Sequence, residues 1–327
     1  MDRRPENPVA QFEEKQPPAN SASGLPASET LAPAQHPVHT IFVGPDGLRG
    51  GWRLVLFLLI AASIGFVLGA LTSHWHPQGA GKLWLNWLFE LEFFVAIAAS
   101  AFVMSRIEGR AWGAYGLPVA TAFGRNFWVG ALWGFFWLTV LMLIMRAAGV
   151  FYFGGVAVHG LRMLRFAAFY GLVFLTVAFF EEFLFRGYTQ FTLAQGIGFW
   201  PAAFLLSAGF GAVHLNNTGE AWLGIFAAAL IGLFFCLTLR RTGTLWFAVG
   251  FHAAWDWSES FLYSVPDSGE IAPGHLLNSS FHGSRWLTGG SVGPEGSVLV
   301  FAVIAAAAFA FDRVYSAKRL NSTPVTS

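Results

Sequence analysis

Two adjacent carboxylates, Glu181 and Glu182, stand in the stretch FFEEFLFRG (residues 179–187), with Arg186 four residues beyond the second. Residues four apart share a face of an α-helix, so Glu182 and Arg186 are placed to pair directly. Glu181 lies about 100° round the helical wheel from Glu182 and about 140° from Arg186, which leaves it free for another task. Farther on, FGAVH sets Phe210 and His214 four apart, and HAAWD does the same for His252 and Asp256. Each pair spans one turn and shares a face. An uncommitted carboxylate, two imidazoles and a further carboxylate make up the inventory of a hydrolytic site, with a base for water and groups that steady the charge of an intermediate. Two other sets carry less. Glu90 and Glu92 in FELEFF are about 160° apart on a helix, so only one faces inward easily. His74 and His76 in HWH have a metal-ligand look but stand beside Pro77, in what reads as a solvated loop.

The elements that hold these groups read as lipid-embedded. From Met163 to Phe180 the one charge is Arg165. A carboxylate near the centre of a membrane helix costs roughly 2.5–3.5 kcal/mol, and such groups usually face a functional interior. The chain has 327 residues, 55% hydrophobic and 11% charged, against about 25% charged in soluble proteins. That is too little charge to coat a soluble surface. A net charge of +1 argues against a nucleic-acid partner. The single cysteine, Cys236, excludes an intrachain disulfide and a thiolate metal cluster. Residues 1–47 are polar, rich in Pro, Ala, Ser and Glu, and lack the apolar core of a signal peptide; they read as a disordered cytosolic tail.

From Trp52 onward, apolar runs of about bilayer length recur. They fall near 52–73, 83–105, 126–148, 163–185, 198–215, 221–239, 243–263 and 294–312. The expected fold class is all-α: a polytopic membrane helix bundle of about eight transmembrane helices, with the membrane domain over 48–320. No internal repeat stands out, and no alternation of the β-barrel kind. Eleven Lys and Arg flank the helices on the side of the termini. Five (Lys82, Arg146, Arg162, Arg165 and Arg285) lie on the other. The asymmetry places both termini in the cytosol. For Glu181, His214 and His252 to meet at one depth, the fourth helix must run past Arg186 through GYTQFTLA to about Ala194.

EExxxR, FxxxH and HxxxD, in that order on successive membrane helices, resemble the CPBP family. That family includes the Rce1-like type 2 CaaX prenyl proteases and proteins like lysostaphin resistance protein A. The resemblance covers about residues 110–265, beginning at WGAYGLP. It implies an intramembrane metalloendopeptidase of a bacterial plasma membrane, acting on membrane-embedded or lipidated peptides. It further implies that Glu181 and His214 activate water while His252 and Asp256 stabilise the tetrahedral intermediate. Zinc would be the cofactor, with His214, His252, Glu181 and Asp256 as ligands. One position departs from the prenyl-protease branch, which has Asn where this chain has Asp256; an ionised carboxylate repels an oxyanion, so Asp256 suits a metal or His252 better. The four residues are expected in one cavity open towards the cytosol, with Glu182 and Arg186 as a structural ion pair. Two further readings are a proton-coupled transporter and a non-catalytic immunity or partner protein on the same scaffold. The absence of inverted repeats and broken helices speaks against the first.

Overall fold

In lipid, backbone N–H and C=O groups find partners only within a helix or a closed barrel, and the long apolar runs form helices. The computed structural model describes residues 42–44, 47–75, 80–216, 222–271 and 273–322. The tail expected over 1–47 lies mostly outside these residues, as does His76; His74 sits exposed in the turn after the first helix. The main helices are α1 (Gly50–Thr72), α2 (Ala80–Ile107), α3 (Arg125–Ala147), α4 (Gly160–Glu182), α5 (Thr189–Ile197), α6 (Phe199–Val213), α7 (Trp222–Thr242), α8 (Trp246–Trp257) and α9 (Val298–Ser322). A π-helical turn, Phe183–Tyr188, joins α4 to α5 across a kink at Gly187, so that 38 helical residues run from Gly160 to Ile197. The helix continues past Ala194, but bent rather than as the straight rod the depth reading assumes.

The bundle is all-helical and multi-pass, but not all eight expected spans are full length. Among the described residues six helices are long and apolar enough to cross a membrane. The expected spans 198–215 and 243–263 shrink to the 15 residues of α6 and the 12 of α8. They end in turns: a 3-10 turn at His214–Asn216 and a π-helical turn at Ser258–Leu262. The last helix starts at Val298 rather than near 294, because Pro294–Gly296 form a separate 3-10 turn. Leu59, Phe66, Leu71, Leu132 and Phe226 stand exposed, as side chains facing lipid do.

The two ends of the bundle differ. At one, Arg53 of α1 pairs with Glu108, just past α2, and donates to Gln195 Oε1 of α5 at 2.7 Å. Tyr115 and Tyr188 donate their hydroxyls to the same Glu108, at 3.1 and 2.5 Å. Arg241, ending α7, donates to Asp312 of α9 at this end. The other end is covered by the segment 263–297. There Phe151–Tyr152 pairs antiparallel with Ser280–Phe281, and Tyr170 of α4 donates to the Pro273 carbonyl at 2.7 Å.

Between the ends, α3 and α8 approach through glycine. A Cβ on Gly130 or Gly134 would overlap the carbonyl oxygens of Phe247 or Phe251, and one on Gly250 would overlap that of Phe127. Small residues permit such close helix contact in membranes, where dispersion forces replace the hydrophobic drive. This contact fixes α8, and with it His252 and Asp256. Gly134→Leu is therefore expected to lower the stability of the detergent-purified protein by about 1–3 kcal/mol or more. Leu132→Ala, on the lipid face, should move it by less than about 0.5 kcal/mol. Thermal unfolding of the two variants beside the parent checks the difference.

Candidate active site

The site grows from the end of α4. Glu182 and Arg186 are both fully buried, and Arg186 Nη1 donates to Glu182 Oε1 at 3.0 Å, the pairing expected from their spacing. The π-helical turn begins between them. Gly187 within it departs from helical geometry, with φ −85° and ψ −121°. The sequence argument against broken helices does not hold at this point: the long rod is interrupted beside its charges. The guanidinium carbon lies 4.2 Å from the centre of the Phe210 ring, and Phe185 and Phe235 stand at 5.6 and 5.7 Å. Space for it comes from Gly232 of α7, where a Cβ would overlap Nη2. Cation–π contacts of this kind strengthen when desolvated.

Glu182 does more than pair with Arg186. The same Oε1 accepts from His252 Nδ1 at 3.1 Å. Glu182 thus fixes the imidazole of α8 from α4 and turns His252 Nε2 towards Glu181 Oε2, at 3.6 Å, and Asp256 Oδ2, at 3.3 Å. The ring also stacks on Phe235, with planes 18° apart. Sequence reasoning assigned the orienting of His252 to Asp256 and missed Glu182, since no helical spacing links residues on different helices. His214 follows the last residue of α6. Its Nδ1–H donates to the Phe210 carbonyl at 2.7 Å, leaving Nε2 as a free acceptor. The Phe210–His214 spacing therefore has two effects: the Phe210 ring covers Arg186 and its carbonyl sets the tautomer of His214.

Glu181, His214, His252 and Asp256 all line one cavity of about 940 Å³. The Glu181 side chain keeps 22% of its surface accessible, while Glu182 keeps none. Of the α2 pair, Glu90 lines the cavity and Glu92 does not. Three more carboxylates line it from the segment after α8: Asp267, Glu270 and Glu295. In sequence Asp267 and Glu270 lie where polarity reads as ordinary loop and Glu295 at the head of the expected last span, and no spacing marks them. Burial, then the neighbouring Asp256, pushes the Glu295 carboxyl up to about 7 and raises that of Asp267 well above the usual range. No lysine or arginine is among the described lining residues.

The cavity lies off the centre of the bundle. Its lining comes from the first half of α2, the second half of α4 and the turn after it, the tip of α6, the first two thirds of α7, the end of α8, the segment 263–297 and the start of α9, which sets it towards one end of the bundle. That is the end remote from Arg53, Glu108 and Arg241. If both termini are cytosolic, this end of the bundle faces away from the cytosol. The expected zinc set fails to close. His252 Nε2 lies 3.6 Å from Glu181 Oε2 and 3.3 Å from Asp256 Oδ2, yet the three do not form a set whose ligand atoms all lie within 4.8 Å of one another. Among the described residues, the one group of three or more whose ligand atoms all lie within 4.8 Å of one another is Asp256, Asp267 and Glu295.

The bundle thus defines a multi-pass membrane protein with glutamates and histidines gathered in one cavity. Residues 163–258 match the family described as Type II CAAX prenyl endopeptidase Rce1-like, and over that core the chain is similar to it. The match runs from α4 to just past α8 and holds Glu181, Glu182, Arg186, His214, His252 and Asp256. WGAYGLP, the segment 263–297 and α9 lie outside it. No curated protein matches the chain. The family supports protease activity in general, in a multi-pass membrane protein.

Breaking a buried ion pair by removing one partner costs about 3–5 kcal/mol, because the other charge is left uncompensated. Glu182→Gln and Arg186→Ala should therefore both lower the yield of folded protein and its thermal midpoint. Gly232→Ala should do so too, through overlap with the guanidinium. A Glu182→Gln variant as stable as the parent would show that Arg186 is neutralised by some other group.

Proposed function

We propose that the protein is an intramembrane endopeptidase in which Glu181 is the base that activates water. The observation that carries this is the pairing of a cavity-facing Glu181 with two imidazoles of fixed orientation. Glu181 takes a proton from a water as its oxygen bonds to the substrate's carbonyl carbon. His214, with Nε2 free, holds that water from the other side. His252, as imidazolium with Nδ1–H held by Glu182, presents Nε2–H to the oxygen that becomes negative. The tetrahedral intermediate then collapses: the C–N bond breaks and Glu181 returns its proton to the leaving amine. Asp256 does not face the oxyanion in this scheme, since two negative charges would repel; it holds His252.

The resemblance would make the enzyme a zinc metalloprotease, and bound zinc lowers the pKa of its water to about 7. The side chains as placed do not close about one such ion, so no step is assigned to it. Substrates are membrane-embedded or lipid-anchored peptides reaching a cavity with several carboxylates and no lysine or arginine in its described lining. A free substrate carboxylate at the site would add to that repulsion, which favours cleavage at internal peptide bonds. The Lys/Arg asymmetry turns the cavity away from the cytosol.

Removing a general base costs typically 10²–10⁴-fold in rate. Glu181→Gln should lose at least about 10²-fold in cleavage while keeping the parent's thermal midpoint, and Asp256→Asn should keep part of the activity. Mass spectrometry of membrane peptides from cells carrying the parent or Glu181→Gln identifies the substrates; identical peptide sets would refute the proposal. A membrane-permeant chelator that abolishes cleavage, with zinc restoring it, would return the metal to the mechanism. For the orientation, a cysteine placed at Ile271, in a chain whose buried Cys236 is changed to Ala, should react with an impermeant maleimide added outside intact cells. Labelling only after lysis would reverse the assignment of sides.

A further inference from the structure

Water activation leaves part of the acidic lining unused. Asp256 of α8, Asp267 of the following segment and Glu295 of the turn before α9 each bring a ligand oxygen within 4.8 Å of the other two. One oxygen of Asp267 accepts from Ser260 Oγ at 2.9 Å, and one of Glu295 from Ser268 Oγ at 3.2 Å. Behind them lies Glu259, fully buried, with neither carboxylate oxygen in a hydrogen bond. The charges it faces are Glu295, Asp267 and Asp256, with Trp255 beside it. The positive groups nearest the cluster are His252 and His214, and His252 already serves Glu181, Glu182 and Asp256. Three carboxylates thus meet, with the fourth buried behind them, where no lysine or arginine of the described lining reaches.

Such a cluster holds together with protons or with a cation. The donors are all oxygen, the preference of hard cations rather than of zinc. Calcium takes oxygen at about 2.3–2.6 Å, so opposed ligands stand up to about 4.6–5.2 Å apart. Magnesium, at about 2.0–2.1 Å, needs a tighter set. We propose that Asp256, Asp267 and Glu295, backed by Glu259, form a site for a hard divalent cation of calcium's size, meeting the Glu181–His214–His252 centre at Asp256. The cation joins the end of α8 to the turn that starts α9 and so holds the segment 263–297 over the cavity. The site stands whether or not the protein is a protease.

The test uses the full chain in detergent. Tb³⁺ replaces Ca²⁺ in oxygen-ligand sites, and Trp255 is placed to sensitise its luminescence. Titration should give one saturable equivalent that Ca²⁺ displaces and Mg²⁺ displaces poorly, and Ca²⁺ should raise the thermal midpoint. Asp267→Asn or Glu295→Gln should each weaken Ca²⁺ binding at least tenfold. Glu270→Gln, in the same cavity but outside the cluster, and His214→Ala should not. A folded parent that binds neither Ca²⁺ nor Tb³⁺ saturably would overturn the proposal, leaving a cluster that holds only protons. Binding that prefers Zn²⁺ and is lost in His214→Ala would overturn it as well. If the acidic variants fail to fold, the titration of the parent decides alone.

Discussion

A guanidinium without access to water is the constraint on which this bundle turns. Arg186 has one hydrogen-bonded carboxylate, Glu182, and a surround of aromatic rings. Inside a low-dielectric interior such a pair is tolerable only with close geometry and further hydrogen bonds. The second bond on Glu182 comes from His252. Three charge-bearing groups on two helices are thus held in one register, and each removal exposes the others. Much else follows: Gly232 must lack a side chain, Phe210 must lie over the guanidinium, and α8 must sit at the height that brings Nδ1 of His252 to Glu182.

The candidate site inherits its order from that buried chain. Glu181 differs from Glu182 by one position, which turns it from the packed interior to the cavity. One carboxylate is fixed and dry, the other partly wet. Since His252 is anchored at Nδ1, its Nε2 has little freedom, and a preorganised donor loses little on reaction. The α3–α8 glycine contact supports the same arrangement from behind, because α8 carries both His252 and Asp256.

What the sequence disclosed follows the reach of helical geometry. Spacings of four, as in Glu182–Arg186, Phe210–His214 and His252–Asp256, are set within one helix and were readable before any packing was known. The contact between Glu182 and His252 depends on how α4 meets α8, which no local pattern encodes. Span lengths were overestimated at α6 and α8 because a bilayer-length window reads on through the turns that end them; the polar run Ser258–Glu259–Ser260 was the available signal that α8 ends early. Asp267 and Glu295 were hidden for another reason. Loop carboxylates normally face water, and only the folding of 263–297 back onto the bundle buries these.

The shortness of α6 has a consequence for the bilayer itself. Its 15 residues rise about 22 Å, against a hydrocarbon layer of about 30 Å. Taken along the membrane normal, the helix leaves roughly 8 Å unspanned, and His214 stands at the tip facing that deficit. Lipid must thin around it or water must descend to it. Either way, acyl-chain length becomes a variable of the site: thicker membranes press hydrocarbon towards His214, and thinner ones leave it wet.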